Sequence, residues 1–131
     1  MKTGLLYVVA SPIGNLSDLS PRAIEILSSV HIIAAEDTRV SSKILNKHSI
    51  DKKCISYHDK NENTKFEKLI ILLKQGNDIA LISDAGTPCI SDPGYKIVNA
   101  AKIEGINVIT IPGATSAIAA LSISGLPSDK F

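Results

Sequence analysis

The sequence predicts an α/β domain built on a five-stranded parallel sheet with helices on both faces. Three observations carry that expectation. Short runs rich in Val, Ile and Leu recur five times along the 131 residues, and continuous apolar runs of that length are what strands covered on both faces look like. Amphipathic stretches separate the runs, as parallel strands require, because each must be joined to the next by a long right-handed crossover. Finally, every apolar run is followed by small, turn-forming or hydrogen-bonding residues, whereas the segments leading into the runs are plainer.

In chain order the strand candidates are Leu5–Ala10, Val30–Glu36, Lys53–Tyr57, Ile79–Ser83 and Asn107–Ile111. The first helix, in "SPRAIEILSS", places Ala23, Ile24, Ile26 and Leu27 on one side, with Ser20 as N-cap and Pro21 at the first helical position. After "EDTR", one reading of Asp37 and Arg39 is a structural ion pair that caps the next helix. "NTKFEKLIILLKQGN" spaces Phe66, Leu69, Ile70 and Leu73 at helical intervals and closes at Gly76. "SDPGYKIVNAAKIEG" and "GATSAIAALSISG" supply two more helices, each ending at Gly. The C-terminal "SGLPSDKF" reads as a linker, giving a domain over 1–122 and the start of a connection to a second domain over 123–131.

Composition narrows the class. With 44% hydrophobic and 21% charged residues and no Trp, the chain is globular in kind. No apolar run reaches membrane-spanning length, and the opening "MKTGLLYVVASPIG" passes too soon into Pro, Gly and Asn for a signal peptide; a cytoplasmic protein without a membrane partner is the expectation. Cys54 and Cys89 lie on different segments without metal-ligand spacing and read as free thiols; the three His do not complete a zinc site, so no metal is expected. The net charge of +1 conceals an asymmetry: residues 39–74 hold nine Lys/Arg against four Asp/Glu. Such a local excess fits either a polyanion partner or an ordinary solvated helix face.

Ligands of open parallel sheets bind outside the carboxyl ends of the strands, so the residues after each run are the candidates. They are "SPIGNLSDLSPRA", "EDTR", "HDKNEN", "DAGTPCISDPG" and "PGATS". Gly14, Gly86 and Gly113 allow close backbone approach, and nearby Ser, Thr and Asp offer donors and acceptors; in any single loop the same residues also serve to make a tight turn. Neither a G-x-x-x-x-G-K-[ST] nor a G-x-G-x-x-G motif is present, which removes the main signatures of P-loop enzymes and standard dinucleotide binders.

Taken together, "VVASPIGNLSDLSPRAIEIL", "AAEDTR", "SYHDKNE", "LISDAGTPCISDPG" and "IPGATSAIAAL" resemble the N-terminal domain of the bacterial small-subunit rRNA ribose 2′-O-methyltransferases, within the tetrapyrrole methylase superfamily. The resemblance implies the strand order 3-2-4-1-5, S-adenosylmethionine as cofactor in a cleft between two domains, a homodimer, and methylation of a cytidine ribose in the decoding region of small-subunit rRNA or of the assembled subunit. It points to Pro12, Asp84, Gly86, Thr87, Ile90, Ser91, Thr115 and Ser116 for the cofactor, with Asp84 equally suited to a capping role. Glu36 and Asp37 are candidates for accepting the hydroxyl proton, and Arg39, His58 and Asn61 for contacting RNA, although an Asp37–Arg39 structural pair and a surface His58 answer to the same residues. The tetrapyrrole-modifying branch usually carries G-x-G-x-G-D in the first loop and G-D-P in the fourth; this chain has Ser11-Pro12-Ile13-Gly14-Asn15 and Gly86-Thr87-Pro88. It also has Lys60 where the family tends to have a second His. A tetrapyrrole methyltransferase and a non-catalytic binding domain are the other two function classes.

Overall fold

The structure, a computed structural model, describes residues 2–10, 19–35, 38–57, 62–82 and 95–111. Its elements run β1 (Leu6–Val9), α1 (Pro21–Ser29), β2 (Ile32–Ala35), α2 (Thr38–Lys47), β3 (Cys54–Ser56), α3 (Glu62–Lys74), β4 (Ile79–Ile82), α4 (Tyr95–Ile103) and β5 (Val108–Ile111). The strands form one sheet in the order β3-β2-β4-β1-β5, and every neighbouring pair is parallel. All five strands fall within the apolar runs of the sequence, β1, β2 and β3 trimmed at both ends and β4 and β5 at one. The helix expected in "GATSAIAALSISG", the linker from 123 and Cys89 lie outside the described residues.

Strand alternation divides the interior into two cores. Val9, Ile33, Ala35, Ala80, Ile82 and Ile111 face Ala23 and Leu27 of α1 and Ile44 and Leu45 of α2. Leu6, Ala34, Ile79 and Leu81 turn the other way, toward Leu69, Ile70 and Leu73 of α3 and Ile97 and Ala101 of α4. Successive strand residues thus feed opposite layers. Central β4 is buried at all four positions, whereas β3 and β5 hold the partly exposed residues expected of edges.

The helices begin and end where side-chain chemistry allows. Ser20 caps α1, its Oγ accepting from the Ala23 N–H at 3.1 Å, with Pro21 beginning the helix. The next three helices all close with the same paired bonds. At α3 the Gly76 N–H donates to Leu73 O at 3.0 Å and the Asn77 N–H to Leu72 O at 3.1 Å; at α4, Gly105 and Ile106 donate to Lys102 and Ala101 at 3.2 and 2.8 Å. In α2 the corresponding donors are Ser49 and Ile50, to Asn46 and Leu45 at 3.2 and 2.8 Å. α2 is the helix with the least legible pattern, because Val40, Ile44 and Leu45 are its only aliphatic residues.

Candidate functional site

The register places one residue from each strand in a single row across the sheet. Ser56 pairs with Ala35, Ala35 with Ile82, Ile82 with Val9, and Val9 with Ile111. Neighbouring strands lie about 4.8 Å apart, so this row of carboxyl ends spans roughly 19 Å. The ladder continues one residue further at two places, where the Tyr57 N–H donates to Ala35 O at 2.7 Å and the Ala10 N–H to Ile111 O at 3.2 Å. Each motif-bearing segment follows directly, in sequence, on one of these five aligned ends.

The strand order also sorts the motifs. Segments with Pro12, with Asp84, Gly86, Thr87, Ile90 and Ser91, and with Thr115 and Ser116 follow β1, β4 and β5, which are three adjacent strands. Those with Glu36 and Asp37, and with His58 and Asn61, follow β2 and β3, the remaining pair. These twelve side chains lie outside the described residues. Arg39 is described, exposed in the first turn of α2.

The crossovers from β1 and β4 pass on opposite faces of the sheet. The first leads through α1 to β2 in one core, the second through α4 to β5 in the other. Adjacent strands whose connections leave to opposite faces open a crevice at their carboxyl ends. Ala10 and Ala35, both buried, keep side-chain bulk near this rim small, and Val9, Ile82 and Ile111 make its floor apolar. An apolar floor at strand ends that are followed in sequence by Gly, Ser and Thr suits a ligand with a flat base and a polar ribose.

Two described residues near the rim were not singled out by sequence reasoning. Ser41, one turn into α2, is fully buried, and among the described residues its Oγ has no hydrogen-bond partner. Its only sequence signal is a hydroxyl on the face shared with Ile44 and Leu45. Tyr57, the residue before His58, is 1% exposed and packs with Leu69 and Leu73. Nearby in β3, burial pushes the Cys54 thiol above its ordinary pKa. Among the described residues no group of three or more His, Cys, Asp or Glu is arranged to hold a metal ion, and no described helix is long and apolar enough to cross a membrane.

The sequence profile of the Tetrapyrrole (Corrin/Porphyrin) Methylases matches residues 5–131. The chain belongs to the tetrapyrrole methylase family. This methylase domain is 53% identical over 129 residues to a Haemophilus influenzae protein named ribosomal RNA small subunit methyltransferase I, covering 98% of this chain and 46% of that one. A Synechocystis protein of the same name is 54% identical over 128 residues, again with 98% and 46% covered. The chain therefore spans about half the length of the curated relatives it matches. Among solved structures, the uroporphyrin-III-C-methyltransferase of Thermus thermophilus superposes with a TM-score of 0.70 at 24% identity, over 95% of this chain and 54% of that one. A second structure of that enzyme, in its native form, gives 0.68 at 20% identity, over 95% and 53%. Those likenesses show the fold.

Proposed function

We propose that the chain is the cofactor-binding part of an S-adenosylmethionine-dependent methyltransferase acting on a ribose 2′-hydroxyl of small-subunit rRNA, at a cytidine in the decoding region. The observation that carries this reading is the sorting of motifs by strand order. Segments with the cofactor candidates follow β4, β1 and β5, those with proton-accepting and RNA-contacting candidates follow β2 and β3, and the strand ends that they follow lie in one row. Relatives about 50% identical that are named for rRNA methylation support the substrate class. The uroporphyrin enzymes, at 24% and 20% identity, are alike in fold.

S-adenosylmethionine supplies a methyl group already activated on a sulfonium. The chain's own task is to hold the ligand and orient the ribose hydroxyl in line with that methyl. Gly86 gives the space for close approach, while Thr87, Ser91, Thr115 and Ser116 offer hydroxyls, Pro12 and Ile90 apolar contact, and Asp84 a carboxylate for the ribose or for its own loop. Glu36 or Asp37 takes the hydroxyl proton as the oxygen attacks. Arg39 grips a phosphate, with His58 and Asn61 beside it. The remainder of a protein of the relatives' length closes the crevice as a second domain joined from residue 123 onward, and the whole works as a cytoplasmic homodimer.

The test is methyl transfer by the complete protein from radiolabelled S-adenosylmethionine, offered naked small-subunit rRNA, assembled small subunits and uroporphyrinogen III in parallel. Label recovered as a 2′-O-methylated nucleoside after nuclease digestion is the expected result. Label in the tetrapyrrole alone transfers the chain to the other branch of its family.

A further inference from the structure

We propose that the exposed face of α2 and the approach to β3 form a phosphate track that leads RNA along the edge of the sheet to the catalytic rim. The inference rests on the reading of the chain as an rRNA-modifying enzyme and adds the surface that would hold the substrate backbone. β3 is an edge strand, so Lys52 and Lys53, which lead into it, lie at one side of the sheet, whereas Lys65, Lys68 and Lys74 belong to α3 in the other layer. Along α2, residues 39, 43 and 47 are exposed while 41, 44 and 45 are buried. Arg39, Lys43 and Lys47 thus stand at i, i+4 and i+8 on one stripe, which begins at the rim and runs about 12 Å toward the opposite edge. Lys52 and Lys53 follow in sequence and lead into β3. The backbone carbonyl of Lys53 accepts from the Ile33 N–H at 3.0 Å, which pins this segment beside β2.

From 38 to 57 the sole acidic residue is Asp51, and among the described residues none of Lys43, Lys47, Lys52 and Lys53 forms an ion pair. Lys74, by contrast, meets Glu104 at 2.9 Å across α3 and α4. Fold-level explanations account for part of the stripe. A cation near the C-terminus of α2 complements the helix dipole, which covers Lys47, and lysines beside an edge strand discourage pairing with another chain, which covers Lys52 and Lys53. Neither accounts for Lys43, and like charges four residues apart weaken a helix. A protein partner would leave an apolar patch at the centre of its surface, yet among the described residues the exposed large hydrophobics, Ile71 and Ile103, belong to α3 and α4 in the opposite layer. A line of cations at regular helical spacing fits a regular polyanion.

The experiment compares the complete protein with a Lys43→Gln/Lys47→Gln/Lys52→Gln/Lys53→Gln variant and with the corresponding four-fold Lys→Arg variant. Binding of fluorescently labelled small-subunit rRNA is followed from about 50 to about 200 mM KCl, the range over which phosphate contacts declare themselves. Loss of four contacts at about 0.7 each should flatten the slope of log K against log salt by roughly 3 in the Gln variant, with affinity at low salt falling at least ~10-fold. The Arg variant should keep both, and both variants should bind S-adenosylmethionine like the parent, which also verifies folding. An unchanged slope and affinity in the Gln variant overturns the track, as does an Arg variant that loses as much as the Gln variant. If the parent methylates rRNA and the Gln variant binds and methylates equally well, the track alone is wrong; if the parent transfers no methyl to rRNA, the functional reading and the track fall together.

Discussion

Ser49 occupies a position that the other two matching helix ends give to glycine. Its φ is +57°, against +95° at Gly76 and +74° at Gly105, and all three make the same closing bond to a carbonyl three residues back. A side chain in the left-handed region costs about 1–2 kcal/mol, so Ser49→Gly should raise stability by roughly 1 kcal/mol in urea unfolding, with an unchanged m-value. At Gly4 the constraint is one of space. Its N–H donates to Leu73 O at 2.7 Å, and a Cβ there would overlap the Asn77 carbonyl. Cys54 gives a residue-scale prediction in pH. Desolvation raises its folded-state pKa, so the folded protein keeps the proton over a range in which the unfolded chain has lost it. Its contribution to stability is therefore complete below the ordinary thiol pKa and is lost as pH rises through the folded-state value. Cys54→Ser should remove that alkaline component from the pH dependence of unfolding, and thiol-reagent labelling of native Cys54 should lag behind that of a free thiol at pH 8.

At the scale of elements, what holds the sheet's amino edge was hidden in segments that look plain in sequence. The half-buried Asp78 accepts the Leu5 N–H at Oδ1, 2.8 Å away, and its own N–H donates to His31 Nδ1 at 2.8 Å. Its carbonyl receives the His31 N–H at 3.0 Å. One residue thereby ties β4 to the starts of β1 and β2. Asp78→Ala should cost about 1–3 kcal/mol in a chemical melt, since the Leu5 N–H loses its partner. Ser20→Ala at the α1 N-cap should cost about 1 kcal/mol; a loss below a few tenths would mean that water replaces the cap. The Lys74–Glu104 bridge, with its side chains 50% and 43% exposed, warrants no comparable effect. The Ser20 cap and the Gly76 turn were legible because local chemistry alone decides them. Asp78 was not, because its partners lie 73 and 47 residues away. α2 was obscure for a different reason: a helix lying on one face of a sheet needs few apolar residues, and among the described side chains Ile44 and Leu45 anchor it.

For the whole molecule, the apolar runs and their spacing settle that there are five parallel strands, but their lateral order is invisible to periodicity. A run such as Ile79–Ile82 announces burial on both faces without saying which neighbours flank it. The proposed function rests on that order, for it sets side by side the carboxyl ends of β4, β1 and β5 and gives β3, with lysines leading into it, the edge. The row from Ser56 to Ile111 consequently has a proposed cofactor half and a proposed RNA half. Amide chemical-shift mapping of the isotope-labelled protein during titration with S-adenosylmethionine tests this division most directly. The account predicts perturbations concentrated at Ala10, Ile82 and Ile111 and in the segments that follow them, with Asp78 and Asn107 at the opposite edge unmoved. Perturbations centred on Ser56 and Tyr57, or on the Asp78 edge, would contradict it.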